Sequence, residues 1–152
     1  MTQEGTNVHF DAARLTDYAL TADVGNPFSD DGQTRAVLAG SGSVAVEHLQ
    51  IEGGRSYPSE PKPEAVGSYQ MGPEVTRMAI ANAASFPWSA EFPGRPGLPN
   101  EAVVTWTLAD SRNGQTTLKA WLRDVEKDER MAPVIRALRQ AVDAATNGRH
   151  YL

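Results

Sequence analysis

Residues 102–122 read AVVTWTLADSRNGQTTLKAWL. Two runs, Ala102 to Leu108 and Thr116 to Leu122, alternate apolar with polar residues around the stretch Asp110-Ser111-Arg112-Asn113-Gly114. A period of two is that of a half-buried strand. It puts Val104, Trp106 and Leu108 on one face of the first run. Leu118, Ala120 and Leu122 share one face of the second, while Val103 and Trp121 turn to the opposite side. Asn113-Gly114 is a hairpin signal, because tight antiparallel connections need positive φ. The pair therefore reads as an antiparallel hairpin.

Upstream, Tyr18 to Val24 alternates in the same way, and Gly25-Asn26-Pro27 with Ser29-Asp30-Asp31-Gly32 supplies turn chemistry. Thr34 to Leu38 reads as a short strand. After Gly40-Ser41-Gly42-Ser43, alternation resumes from Val44 to Glu52, with Val44, Val46, Leu49 and Ile51 as the inward candidates. Their parity slips between Val46 and Leu49, which marks a bulge. Gly72-Pro73-Glu74 looks like a helix start, with proline preorganised for the first position and the acid suited to the positive end of the dipole. Val75, Met78, Ala79, Asn82, Ala83 and Phe86 recur at helical spacing until Pro87 stops the helix. A final helix is expected from Ala132-Pro133 to about Ala145. Val134, Leu138, Ala141, Val142 and Ala145 form its stripe, with Ile135 at the edge and Asn147-Gly148 as the stop.

Strands thus precede helices rather than alternating with them one by one. The expected class is α+β, a mainly antiparallel sheet of four to five strands with two helices on one face. One domain is expected over residues 1–152, with a loose lead-in at 1–16 and long Pro-rich loops at 53–72 and 86–100.

The chain has 152 residues, with 14 Lys plus Arg against 19 Asp plus Glu and a net charge of −5. Acidity argues against a nucleic-acid partner, which calls for a basic surplus. With no cysteine, disulfides, thiol nucleophiles and thiolate zinc sites are excluded. No apolar run approaches the ~20 residues that span a bilayer, and MTQEGTNVHF lacks a signal-peptide pattern. No membrane association and a cytoplasmic location are therefore expected. Eleven Arg against three Lys suggests a bacterial source.

No motif declares a chemistry. His9, His48 and His150 have no metal-ligand spacing, and Glu47 and His48 would sit on opposite faces of one strand. Gly40-Ser41-Gly42-Ser43 is followed by a strand, so a turn accounts for it better than a phosphate cradle. Asp124, Glu126, Asp128 and Glu129 precede the last helix and favour its N-terminus. No catalytic residue, metal or cofactor is expected. The unusual stretch is FPWSAEFPGRPGLPN, residues 86–100. Bulky side chains in a Pro-braced loop lose little entropy on binding, which makes Phe86, Trp88, Phe92, Arg95 and Leu98 the candidate partner-binding residues. The other reading of Phe86, Trp88 and Phe92 is a lid folded over the sheet edge.

The order of elements resembles the emfourin type of small bacterial α/β domain. The likeness runs over residues 17 to 145. It rests on the strand meander, the Gly72-Pro73-Glu74-Val75 helix, the aromatic-Pro loop, the hairpin and Met131-Ala132-Pro133-Val134-Ile135-Arg136-Ala137-Leu138. Some such domains inhibit thermolysin-like metalloproteases, so the resemblance implies an inhibitor-like protein with a protein partner. No inhibitory residue carries over. Three functions stay in view. The first is a binding module that blocks a partner, inhibitor-like or immunity-like. The second is an accessory or structural subunit of a larger bacterial complex, and the third a small hydrolase with an unrecognised site.

Overall fold

The computed structural model describes residues 10–25, 33–50, 62–85, 102–112, 114–150 and 152. A 3-10 helix at Ala12–Asp17 leads into β1 (Tyr18–Gly25), β2 (Gln33–Ala39), β3 (Ser43–Gln50) and β4 (Lys62–Gln70). Helix α1 (Pro73–Ala84) follows, then β5 (Val103–Asp110), β6 (Gly114–Trp121), α2 (Leu122–Lys127) and α3 (Ala132–Thr146). The strands form one sheet in the order β4-β3-β2-β1-β5-β6. Every neighbouring pair is antiparallel.

The α+β class holds, but among the described residues the sheet has six strands rather than four to five, and there are four helical segments rather than two. The extra strand is β4, inside the connection expected over 53–72. Alternation fails there for physical reasons. Pro63 and Gly67 interrupt the run, and the register with β3 slips between Val46 and Glu47, which pair with Gly67 and Ala65. Val66 is the additional residue, so the irregularity beside Val46 is a bulge of β4, whereas β3, where the parity slip placed it, stays in register with β2. The unforeseen helices are the 3-10 segment and α2, which takes up Asp124 and Glu126 from the acidic cluster.

One sheet face carries Tyr18, Leu20, Ala22 and Val24 from β1, Ala36 and Leu38 from β2, Val44 and Val46 from β3, and Val104, Trp106 and Leu108 from β5. These pack with Ala79, Ile80, Ala83 and Ala84 of α1 and Val134, Ile135, Leu138, Ala141 and Val142 of α3 in a single buried cluster. Full burial of the Val, Leu and Ile side chains among them stabilises by roughly 1.5–3 kcal/mol each. The α1 face is rotated from the expected one: Val75 is 40% exposed while Thr76 is fully buried. The Thr76 hydroxyl donates to Gly72 O at 2.8 Å, which satisfies its polar group inside the helix. Leu49 is also buried, but it pairs with Gln33 on the sheet face away from Val44 and Val46, outside the main cluster.

Helix α3 crosses β4 closely. A Cβ built on Gly67 would lie 2.2 Å from Ala145 O, so this position requires glycine. Beyond α3, Asn147 takes a left-handed conformation and the chain folds back. His150 N donates to Thr146 Oγ1, Arg139 Nε donates to Leu152 O, and Leu152 joins the core. No helix of the described residues is long and apolar enough to cross a membrane.

Candidate binding surface

The Pro-rich stretch leaves a rigid frame and returns to it. Its upstream root is Ser85 at the end of α1. The Ser85 amide donates to Ala81 O at 3.1 Å, and its carbonyl accepts from Arg130 Nη1 at 2.7 Å. Asn82 Nδ2 donates in turn to Arg130 O. Arg130 belongs to the α2–α3 turn, where Asp128 Oδ1 accepts from the amides of Arg130 and Met131. The acidic cluster thus organises the approach to α3 through Asp128, in the manner of a capping acid. The downstream root is Ala102, whose carbonyl accepts from the Leu122 amide at 3.0 Å and so begins the β5–β6 ladder. Phe86, Trp88, Phe92, Arg95 and Leu98 themselves lie outside the described residues.

Beside the upstream root, Glu74, Arg77, Met78 and Ala81 line an open depression of about 280 Å³ on the outward side of α1. Ala81 is one helical turn before Ser85. Val75, on the same helix, is one of the most exposed large apolar side chains described.

The sheet face away from the helices is mixed, with its polar residues ordered in rows. Asp23, Arg35 and Glu47 are direct neighbours across β1, β2 and β3. Arg35 grips Asp23 with two bonds, 2.6 Å from Nε and 3.1 Å from Nη2, and reaches Glu47 at 3.8 Å. The Asp23 hydrogen bond is the main reason the Arg35 guanidinium holds its proton more tightly than usual, with desolvation opposing it. The next row joins Val37, Thr21, Thr107 and Thr117. The hydroxyls of Thr107 and Thr117 lie 3.4 Å apart. Val103 and Trp121 pair directly on this face, as the alternation predicts, and both are half-buried.

No known protein-family model matches the chain, and no curated protein matches it in sequence.

The remaining candidates fall into structural roles. Gly40-Ser41-Gly42-Ser43 turns β2 into β3, with Gly42 at φ 95° and its amide donating to Ala39 O. Glu47 and His48 do face opposite sides. His48 meets a residue no local pattern linked to it: the His150 ring lies 5.3 Å away, centroid to centroid. His48 Nδ1 is buried without a hydrogen-bond partner. Among the described residues no group of three or more His, Cys, Asp or Glu could hold a metal ion.

A second polar cluster ties the 3-10 helix to the end of β5. Arg14 donates to Asp17 Oδ2 at 3.0 Å and to Asp110 Oδ1 at 2.6 Å, and its guanidinium lies over the Tyr18 ring. The hydrogen bond to Asp17 is the largest influence raising the Arg14 pKa. Arg14 and Asp110 are 96 positions apart, and no sequence signal joins them.

Proposed function

We propose that this protein is a binding module that blocks a partner protein, inhibitor-like or immunity-like. The observation that carries the reading is the pair of fixed roots at Ser85 and Ala102. Both ends of the Phe/Trp/Pro segment are tied by hydrogen bonds to packed elements. A contact loop on a rigid base spends less free energy on ordering when it binds. The depression over Glu74, Arg77, Met78 and Ala81 lies beside the upstream root and offers a second contact for the same partner. The resemblance to emfourin-type domains makes a metalloprotease the first partner class to assay. Phe86, Trp88, Phe92, Arg95 and Leu98 are proposed to carry the contact, with Trp88 and Phe92 as anchors.

A pull-down from lysate and spent medium of the source organism tests this. The tagged wild-type chain is compared with a Trp88→Ala/Phe92→Ala double variant. One stoichiometric partner, lost from the variant whose melting curve is unchanged, is the expected result. A partner retained by both baits would move the interface to the sheet and favour the accessory-subunit reading.

A further inference from the structure

The two ends of the sheet are built differently. At β4 the run is broken by Pro63, which has no N–H, by exposed Glu64 and by the bulge at Val66, with α3 packed above. These are devices that prevent strand pairing. At β6 the run Gly114–Trp121 pairs with β5 residue for residue, without proline or bulge, and Lys119 is its single charge. Gln115, Thr117 and Lys119 are exposed.

The backbone of that edge is open in a specific way. The Leu122 amide donates to Ala102 O, which makes these two a hydrogen-bonded pair. Hydrogen-bonded pairs alternate in an antiparallel ladder. Thr116, Leu118 and Ala120 therefore direct their N–H and C=O groups to β5. Gln115, Thr117 and Lys119 direct theirs away from it, where they meet no partner among the described residues. A long, regular strand with an unpaired edge is a template for another strand.

We infer that β6 is an interface at which two copies of this chain pair antiparallel about a two-fold axis through Thr117. An antiparallel edge is self-complementary, and this register uses all of its free groups. Thr117 pairs with the partner's Thr117, Gln115 with the partner's Lys119, and Lys119 with the partner's Gln115. Each pair makes two backbone hydrogen bonds. The register overlaps the strand fully and sets each lysine against a glutamine, whereas an axis at Lys119 would oppose like charges. It also continues a pattern already present: the threonine row Thr21–Thr107–Thr117 runs on across the axis on the face away from the helices. The inference stands apart from the proposed loop contact, and neither depends on the other.

The absence of cysteine makes the register directly testable in the full chain. Paired Cα atoms in a hydrogen-bonded position are about 5.5 Å apart, inside the disulfide window. Thr117→Cys should therefore cross-link to a covalent dimer under mild oxidation. Gln115→Cys should cross-link roughly tenfold less, since its own counterpart is about 14 Å away along the strands. Sedimentation of the wild type should show twice 16.4 kDa, and Thr117→Pro should sediment at 16.4 kDa while still melting in one cooperative transition. A wild type that stays monomeric at millimolar protein, a dimer that survives Thr117→Pro, or equal cross-linking from the two cysteine variants would each overturn the inference. The cysteine pair decides the matter even if the proline variant fails to fold.

Discussion

Strands β4 and β6 close the same sheet, yet they solve opposite problems. Residues of β4 are spent on preventing association and on receiving α3. Those of β6 keep a clean register and leave the backbone groups of Gln115, Thr117 and Lys119 pointing outward. Irregularity in an edge strand's sequence is therefore informative. Where alternation breaks, the edge is guarded; where it persists with few charges, the edge is available.

The largest losses of stability are expected on the β4 side. Leu138→Ala, in the fully buried stripe of α3, should cost about 3 kcal/mol by transfer and cavity terms together. It should also loosen β4, read as faster amide exchange there than in β6. Gly67→Val should cost about 2 kcal/mol in chemical denaturation, because its Cβ would press on the Ala145 carbonyl and α3 would have to lift. An equivalent bulk at the other edge, Thr117→Val, should stay within about 0.5 kcal/mol, since the side chain stands in solvent. A large loss there would mean the β6 edge is already covered within the monomer.

Midway between the edges, Arg35→Ala should cost about 0.5–1 kcal/mol, discounted because a third of the side chain is exposed. The sign of the arginine's shift fixes its pH behaviour. Its raised pKa means the contribution is complete below the usual arginine range and fades only above it. Melting the wild type and the variant between pH 6 and 9 should therefore give a constant difference from the guanidinium itself. In the core, Trp106→Phe should cost less than the volume it removes would suggest. The ring fills the core, but its Nε1–H is buried without an acceptor, so losing the indole nitrogen offsets part of the lost volume. A cost below about 1.5 kcal/mol by denaturation is expected.

Most of the sheet was legible in the sequence because half-buried strands alternate. The pattern at Tyr18–Val24, Val44–Val46 and Val103–Trp121 gave both strand positions and faces, including the outward pair Val103 and Trp121. Strand β4 was not legible because guarding an edge erases the alternation that reveals a strand. The α1 face was offset because Thr76, polar by type, is buried once its hydroxyl bonds to Gly72 O. Long-range pairs such as Arg14 with Asp110 and His48 with His150 depend on topology and leave no local trace. At the candidate surface, the loop's composition was readable, whereas its two roots became visible only through Arg130 and the β5–β6 ladder.

Amide hydrogen exchange along β6 at increasing protein concentration tests the contrast between the edges most directly. Thr116, Leu118 and Ala120 should be protected at every concentration, because β5 holds their amides. Gln115, Thr117 and Lys119 should exchange freely when dilute and become protected as the protein is concentrated, while β4 stays unchanged. Free exchange of those three amides at every concentration, or concentration-dependent protection appearing on β4 instead, would contradict the account.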